Sequence, residues 1–184
     1  MRILIVEDEA PIAMVLADSL ESDGHLVVGP ASTMAEALAL CEALPPELAL
    51  LDVNLADGSN GVDVARALLG RWGVPSIFAS GEAVEARQAK DIALGFIGKP
   101  YGIETVLRGV EAAREVLGGG DPRTVPAGFE LFSPADALLP APGLWESKAA
   151  RRGGVPEWRG VGRHRDPPPA QGRAEPPGRP SGAP

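Results

Sequence analysis

Apolar residues recur along the first 117 positions as short unbroken runs separated by stretches of helical spacing. Ile3-Leu4-Ile5-Val6, Leu26-Val27-Val28, Leu48-Ala49-Leu50-Leu51, Pro75-Ser76-Ile77-Phe78-Ala79 and Phe96-Ile97 read as strands, the continuous runs being those of strands covered on both faces. Between them, Pro11 opens a helix whose face carries Ile12, Leu16 and Leu20. Thr33-Met34-Ala35-Glu36 has capping-box form and starts a helix to about Ala43, which Pro45-Pro46 forbids from continuing. Helical stretches follow over Val62 to Leu69 and Glu82 to about Ala93. A last helix carries Ile103, Val106, Leu107, Val110 and Leu117 on one face. Strands alternating with helices predict an α/β domain: a five-stranded parallel sheet with helices on both faces.

Composition changes at Gly118-Gly119-Gly120. Residues 118–184 hold 13 of the 19 prolines and 12 of the 23 glycines, and no isoleucine. Such a segment buries too little apolar surface to offset its ordering entropy. The expected organisation is therefore one domain over 1–117 and a disordered tail over 118–184 without a recognisable output domain. Within the tail, Phe129-Glu130-Leu131-Phe132 and Leu138-Leu139 are patches that could dock transiently.

Charge is uneven. Residues 1–117 carry 8 Lys+Arg against 18 Asp+Glu, a net of −10, while 118–184 carry 9 against 7, a net of +2. The acidic part argues against direct DNA binding, since phosphate contacts need cations. It suits a site that gathers a divalent cation. No apolar stretch is long enough to span a membrane, and three acids behind a short apolar start make a poor signal peptide. The single cysteine, Cys41, forbids an internal disulfide and is expected to be inert packing in a cytoplasmic protein.

In parallel α/β sheets, ligands bind beyond the carboxyl ends of the strands. Glu7 and Asp8 follow the first strand, Asp52 and Asn54 the third, Ser80 and Gly81 the fourth, and Lys99 and Pro100 the fifth. Three acids, a hydroxyl and an amine thus meet at one rim. Two carboxylates about 4 Å apart repel by roughly 4 kcal/mol at an effective dielectric near 20. A divalent cation relieves this, and Mg²⁺ prefers one or two carboxylates with waters and phosphate oxygens. A carboxylate held rigidly at a strand end can also attack phosphorus and become an acyl phosphate, with a metal and a lysine neutralising charge.

These segments — ILIVEDE, LALLDVNL, FASG and GFIGKPY — resemble the receiver domains of two-component response regulators over about residues 1–117. The resemblance implies strand order 2-1-3-4-5. It implies Asp52 as the phosphoacceptor, Glu7, Asp8 and Asp52 as Mg²⁺ ligands, and Asn54 as donor of a backbone carbonyl. Ser80 corresponds to the switch hydroxyl, Lys99 to the lysine that pairs with the phosphoryl group, and Phe96 to the aromatic that changes rotamer. Lys99-Pro100 corresponds to a cis peptide; Tyr101, next in line, is expected to be a surface or partner-contact residue. The implied donor is a sensor histidine kinase or a histidine phosphotransfer protein. The receiver face is expected to bind a downstream protein, dimerise on phosphorylation, or pass phosphate between proteins. The chain's own His25 and His164 are expected to be structural or surface residues.

On this view the chain is not an enzyme beyond Mg²⁺-dependent self-phosphorylation and self-dephosphorylation. An aspartate-nucleophile phosphatase is one rival, but its second acid would fall at Asn54, which cannot protonate a leaving group. A nucleotide- or flavin-binding module lacks a glycine-rich phosphate loop after any strand. A phosphorylation-independent receiver-like interaction module is the third rival.

Overall fold

The computed structural model describes residues 1–122 and 124–132. The described residues belong to one compact unit. The order of elements is β1 (Arg2–Val6), α1 (Ala10–Ser22), β2 (Leu26–Ala31), α2 (Met34–Ala43), β3 (Leu48–Leu51), α3 (Gly61–Trp72), β4 (Ser76–Ser80), α4 (Ala83–Gln88), β5 (Gly95–Gly98), α5 (Ile103–Leu117) and β6 (Phe129–Leu131). The sheet runs β2-β1-β3-β4-β5-β6. Its first five strands are parallel in the expected order, and β6 lies antiparallel on β5.

Strand periodicity divides the interior. Leu4 and Val6 of β1 face one apolar cluster with Leu51, Val64, Leu68 and Phe78, while Ile3 and Ile5 face another with Leu16, Leu50, Val106 and Val110. Side-chain caps fix the starts of α2 and α3. Thr33 Oγ1 accepts from the Glu36 amide at 3.2 Å, and the Glu36 carboxylate accepts from the Ser32 amide at 2.8 Å. Asn60 Oδ1 accepts from the Val62 amide at 2.7 Å at the start of α3, which ends at Gly73 with φ +70°.

Three features depart from the sequence expectations. First, α4 stops at Gln88 rather than near Ala93. Ile92, Ala93 and Leu94 are consecutively buried, a pattern that one face of a surface helix cannot satisfy, so the chain turns inward to begin β5. Second, β2 slips register against β1 between Leu4 and Val6, beside the cis Gly29-Pro30 bond and Gly29 at φ +102°. Third, the sheet has six strands, and ordered structure does not end at 117. Phe129 and Phe132 are buried, and Phe129–Leu131 pairs with β5. Alternating apolar side chains let this piece of a Pro/Gly-rich segment reach both faces of the sheet edge. The Leu138-Leu139 patch, His164 and the rest of the expected disordered tail lie outside the described residues.

Gly61 opens α3 hard against the third strand's end. A Cβ there would overlap the Asp52 carbonyl, and the Gly61 amide donates to Val53 O at 2.7 Å. Gly61→Ala is expected to cost about 1–3 kcal/mol in a urea unfolding series, because backbone on both sides must give way.

Candidate phosphoacceptor site

Each strand of the parallel core delivers its rim residue by backbone pairing. The Asp52 amide donates to Val6 O at 2.8 Å, and the Glu7 amide to Ala31 O at 2.9 Å. The Lys99 amide donates to Ser80 O at 3.0 Å. Four loops from β1, β3, β4 and β5 are thereby registered along one edge.

Glu7 is 4% exposed and Asp52 8%, while Asp8 stands in solvent. Carboxylate oxygens of all three lie within 4.8 Å of one another. Lys99 Nζ sits among them, 2.7 Å from Asp52 Oδ2 and 2.9 and 3.1 Å from the two Glu7 oxygens. Glu9, an acid that sequence reasoning passed over, brings Oε1 to 3.7 Å from the same amine. Its signal was the unbroken run Glu7-Asp8-Glu9, which places a third acid within reach. Asp52 Oδ1 accepts from the Val53 amide at 2.6 Å and the Asn54 amide at 3.4 Å. One Asp52 oxygen is therefore tied to the backbone, and the other is held by the amine.

Burial raises the Glu7 carboxyl above its ordinary value, an effect that the Lys99 hydrogen bond and charge only partly offset. Burial alone would lower Lys99, but its hydrogen bonds to Asp52 and Glu7 outweigh that and hold the ammonium above its usual range. The amine is thus fully charged at neutral pH.

Ser80 is buried at the end of β4, and its Oγ accepts from the Glu82 amide at 3.3 Å. Glu82 is the residue that precedes α4. Asn54 is exposed and pairs with Asn60 across the loop. Phe96 is a core residue of the α4 side, with the Arg87 guanidinium 5.7 Å from its ring centre. Lys99-Pro100 is cis. Tyr101 is more enclosed than its expected surface role: it packs on the α1–α5 cluster, and its hydroxyl is buried without a partner. Burial, followed by the charge of Glu7, pushes that phenol up to about 12. Beside Lys99 runs a groove of about 630 Å³ lined chiefly by Pro11, Ile12, Val15, Tyr101 and Ile103. Outside the site, Cys41 is buried, and burial raises its thiol to about 11, as suits inert packing. His25 pairs with Asp23 at 3.3 Å, away from the rim.

This edge belongs to a doubly wound α/β domain that gathers carboxylates at its strand ends. The family model for the response regulator receiver domain matches residues 3–111, and the chain belongs to that family, the receivers of two-component signalling. Among curated proteins it resembles the phyllosphere-induced regulator PhyR of Methylorubrum extorquens, 48% identical over 78 residues, 42% of this chain and 29% of that protein. It also resembles the transcriptional regulatory protein PdtaR of Mycobacterium tuberculosis, 33% identical over 117 residues, 61% of this chain and 56% of that one. Among solved structures, the anti-anti-sigma factor PhyR from Bartonella quintana superposes with a TM-score of 0.51 at 31% identity, over 62% of this chain and 50% of that one. The chain thus spans less than two thirds of the length of each. Among the described residues, no helix is long and apolar enough to cross a membrane.

Proposed function

We propose that Asp52 accepts a phosphoryl group from a histidine kinase or a histidine phosphotransfer protein, and that the modified rim switches a protein-binding face. The observation that carries this reading is Lys99 Nζ, bonded at once to Asp52 Oδ2 at 2.7 Å and to Glu7 at 2.9 Å. A fixed cation already stands where a phosphoryl group on that oxygen would place its charge.

The donor set is all hard oxygen, which fits Mg²⁺ and excludes the softer sulfur-seeking metals. Glu7, Asp8 and Asp52 would hold the ion, with the Asn54 carbonyl as a further donor. When bound, Mg²⁺ supplies charge neutralisation to the phosphoryl oxygens. In the transfer, an Asp52 carboxylate oxygen forms a bond to phosphorus while the donor's P–N bond breaks, and the leaving imidazole takes up a proton. Lys99 pairs with the new charge, and the hydrogen bond from the Val53 amide keeps the carboxylate oriented. The apolar groove beside Lys99 offers the donor protein a seat.

Phosphorylation adds charge and acceptor oxygens at Asp52. The Ser80 hydroxyl then turns towards them and leaves the Glu82 amide, so the start of α4 moves. Moving a population from 1:99 to 99:1 takes about 5.5 kcal/mol, which several charge-assisted bonds supply and one does not. The downstream partner in this reading is a protein. That the Bartonella relative is an anti-anti-sigma factor supports partner exchange over DNA contact. The acidic charge of residues 1–117 supports the same choice.

Incubation with acetyl phosphate tests the reading. Labelling is expected with Mg²⁺ and lost with a chelator. Asp8→Asn should raise the Mg²⁺ needed for half-maximal labelling about tenfold or more, the equivalent of roughly 1.4 kcal/mol of lost binding. Equal labelling with and without the chelator would refute the metal-assisted site.

A further inference from the structure

The sixth strand lies outside the site, yet it is fitted to the chain with some care. Phe129 sits in a slot floored by two glycines. A Cβ on Gly95 of β5 would come within 2.5 Å of the Phe129 ring, and one on Gly109 of α5 would come within 3.5 Å of it. A larger residue at Gly95 would evict the ring, whereas a Cβ at Gly109 would make ordinary contact with it. Leu131 packs on the same α5-side cluster, whereas Phe132 belongs to the α4-side cluster with Phe96, so the strand grips both faces of the sheet edge. The Phe132 amide donates to Leu94 O at 2.8 Å. Glu130 lies opposite Phe96 and is held by Arg87 Nε at 2.7 Å, and the same guanidinium stands over the Phe96 ring.

A continuous chain of contacts therefore runs from the rim to this strand. Ser80 Oγ holds the Glu82 amide, Glu82 precedes α4, and α4 carries Arg87, which holds Glu130. The strand itself is short, three residues, and its one ion pair is solvent-exposed on both sides. Such an element opens more readily than the core strands it covers.

We propose that β6 is a releasable strap: in the resting chain it occupies the β5 edge and the Gly95–Gly109 slot, and motion of α4 after phosphorylation loosens it. The trigger rests on the phosphoacceptor reading of Asp52. The fit of the strand and its tie to α4 do not.

Amide hydrogen exchange on the full chain tests this, followed at Phe132 and its neighbours in β6. With Mg²⁺ and acetyl phosphate, and with stoichiometric labelling verified by intact mass, exchange at Phe132 is expected to speed up at least tenfold. Two variants work without phosphorylation. Arg87→Ala should speed the same amide about two- to fivefold, the loosening that one exposed ion pair is worth. Phe129→Ala should speed it more, leaving exchange in β1 and β3 unchanged. Labelled protein with unchanged or slower Phe132 exchange overturns the strap and leaves the phosphoacceptor reading standing. Unlabelled Asp52 overturns that reading and the trigger with it. Unchanged exchange in both variants overturns the strap in either case.

Discussion

Asp52→Asn is expected to remove labelling by acetyl phosphate or a phosphohistidine donor down to background. The substitution is nearly isosteric. Asn keeps an oxygen able to accept from the Val53 amide, as Asp52 Oδ1 does at 2.6 Å. The other oxygen, now 2.7 Å from Lys99, becomes an amide nitrogen and cannot form an acyl phosphate. Stability should hardly suffer. One charge leaves a cluster of three acids, and Lys99 keeps Glu7 at 2.9 Å, so unfolding should shift by no more than about 1 kcal/mol. A variant that folds normally and fails to label isolates the chemistry from the fold. Labelling at the parent level would mean that another residue carries the phosphoryl group.

Lys99→Ala is expected to act mainly on stability. It leaves Glu7 and Asp52 buried, close together and without their cation. Removing one partner of a buried ion pair costs about 3–5 kcal/mol. With the Lys99 side chain 19% exposed, water can enter the gap, and about 3 kcal/mol is expected at pH 7. The pH dependence has a definite sign. Burial already raises Glu7 in the folded state, and losing Lys99 raises it further. Between the ordinary carboxyl value and the raised one, the folded chain binds more protons than the unfolded chain. Stability of the variant therefore increases as pH falls through that window and decreases as pH rises through it. Urea unfolding at pH 7 and pH 5 measures this. Adding Glu7→Gln should recover part of the loss at pH 7, because the pair no longer repels. A pH response no steeper than that of the parent chain would show that Lys99 acts by packing alone.

Much of this was legible in the sequence because buried parallel strands leave little choice: an apolar run must end before a charge, and Val6-Glu7, Leu51-Asp52 and Gly98-Lys99 mark those ends. Convergence of the four loops followed from topology. Less legible was what depends on distant partners. The burial of Phe129 needs Gly95 beneath its ring, and no local pattern announces that pairing. The early stop of α4 depends on the inward burial of Ile92 to Leu94, which a helical reading of Glu82 to Ala93 misses. Gly61 carries no local signal of its role, because the close approach of Asp52's carbonyl is what demands a glycine there. The enclosure of Tyr101 likewise arises from α1 and α5 closing around it.

The most direct measurement is the position and bond type of the phosphoryl group on the unmodified chain. After incubation with Mg²⁺ and acetyl phosphate, rapid digestion and mass spectrometry should find one phosphoryl group on the peptide containing Asp52, labile to hydroxylamine as an acyl phosphate is. A stable phosphoester on a serine or threonine, or a label on any peptide lacking Asp52, would contradict the account.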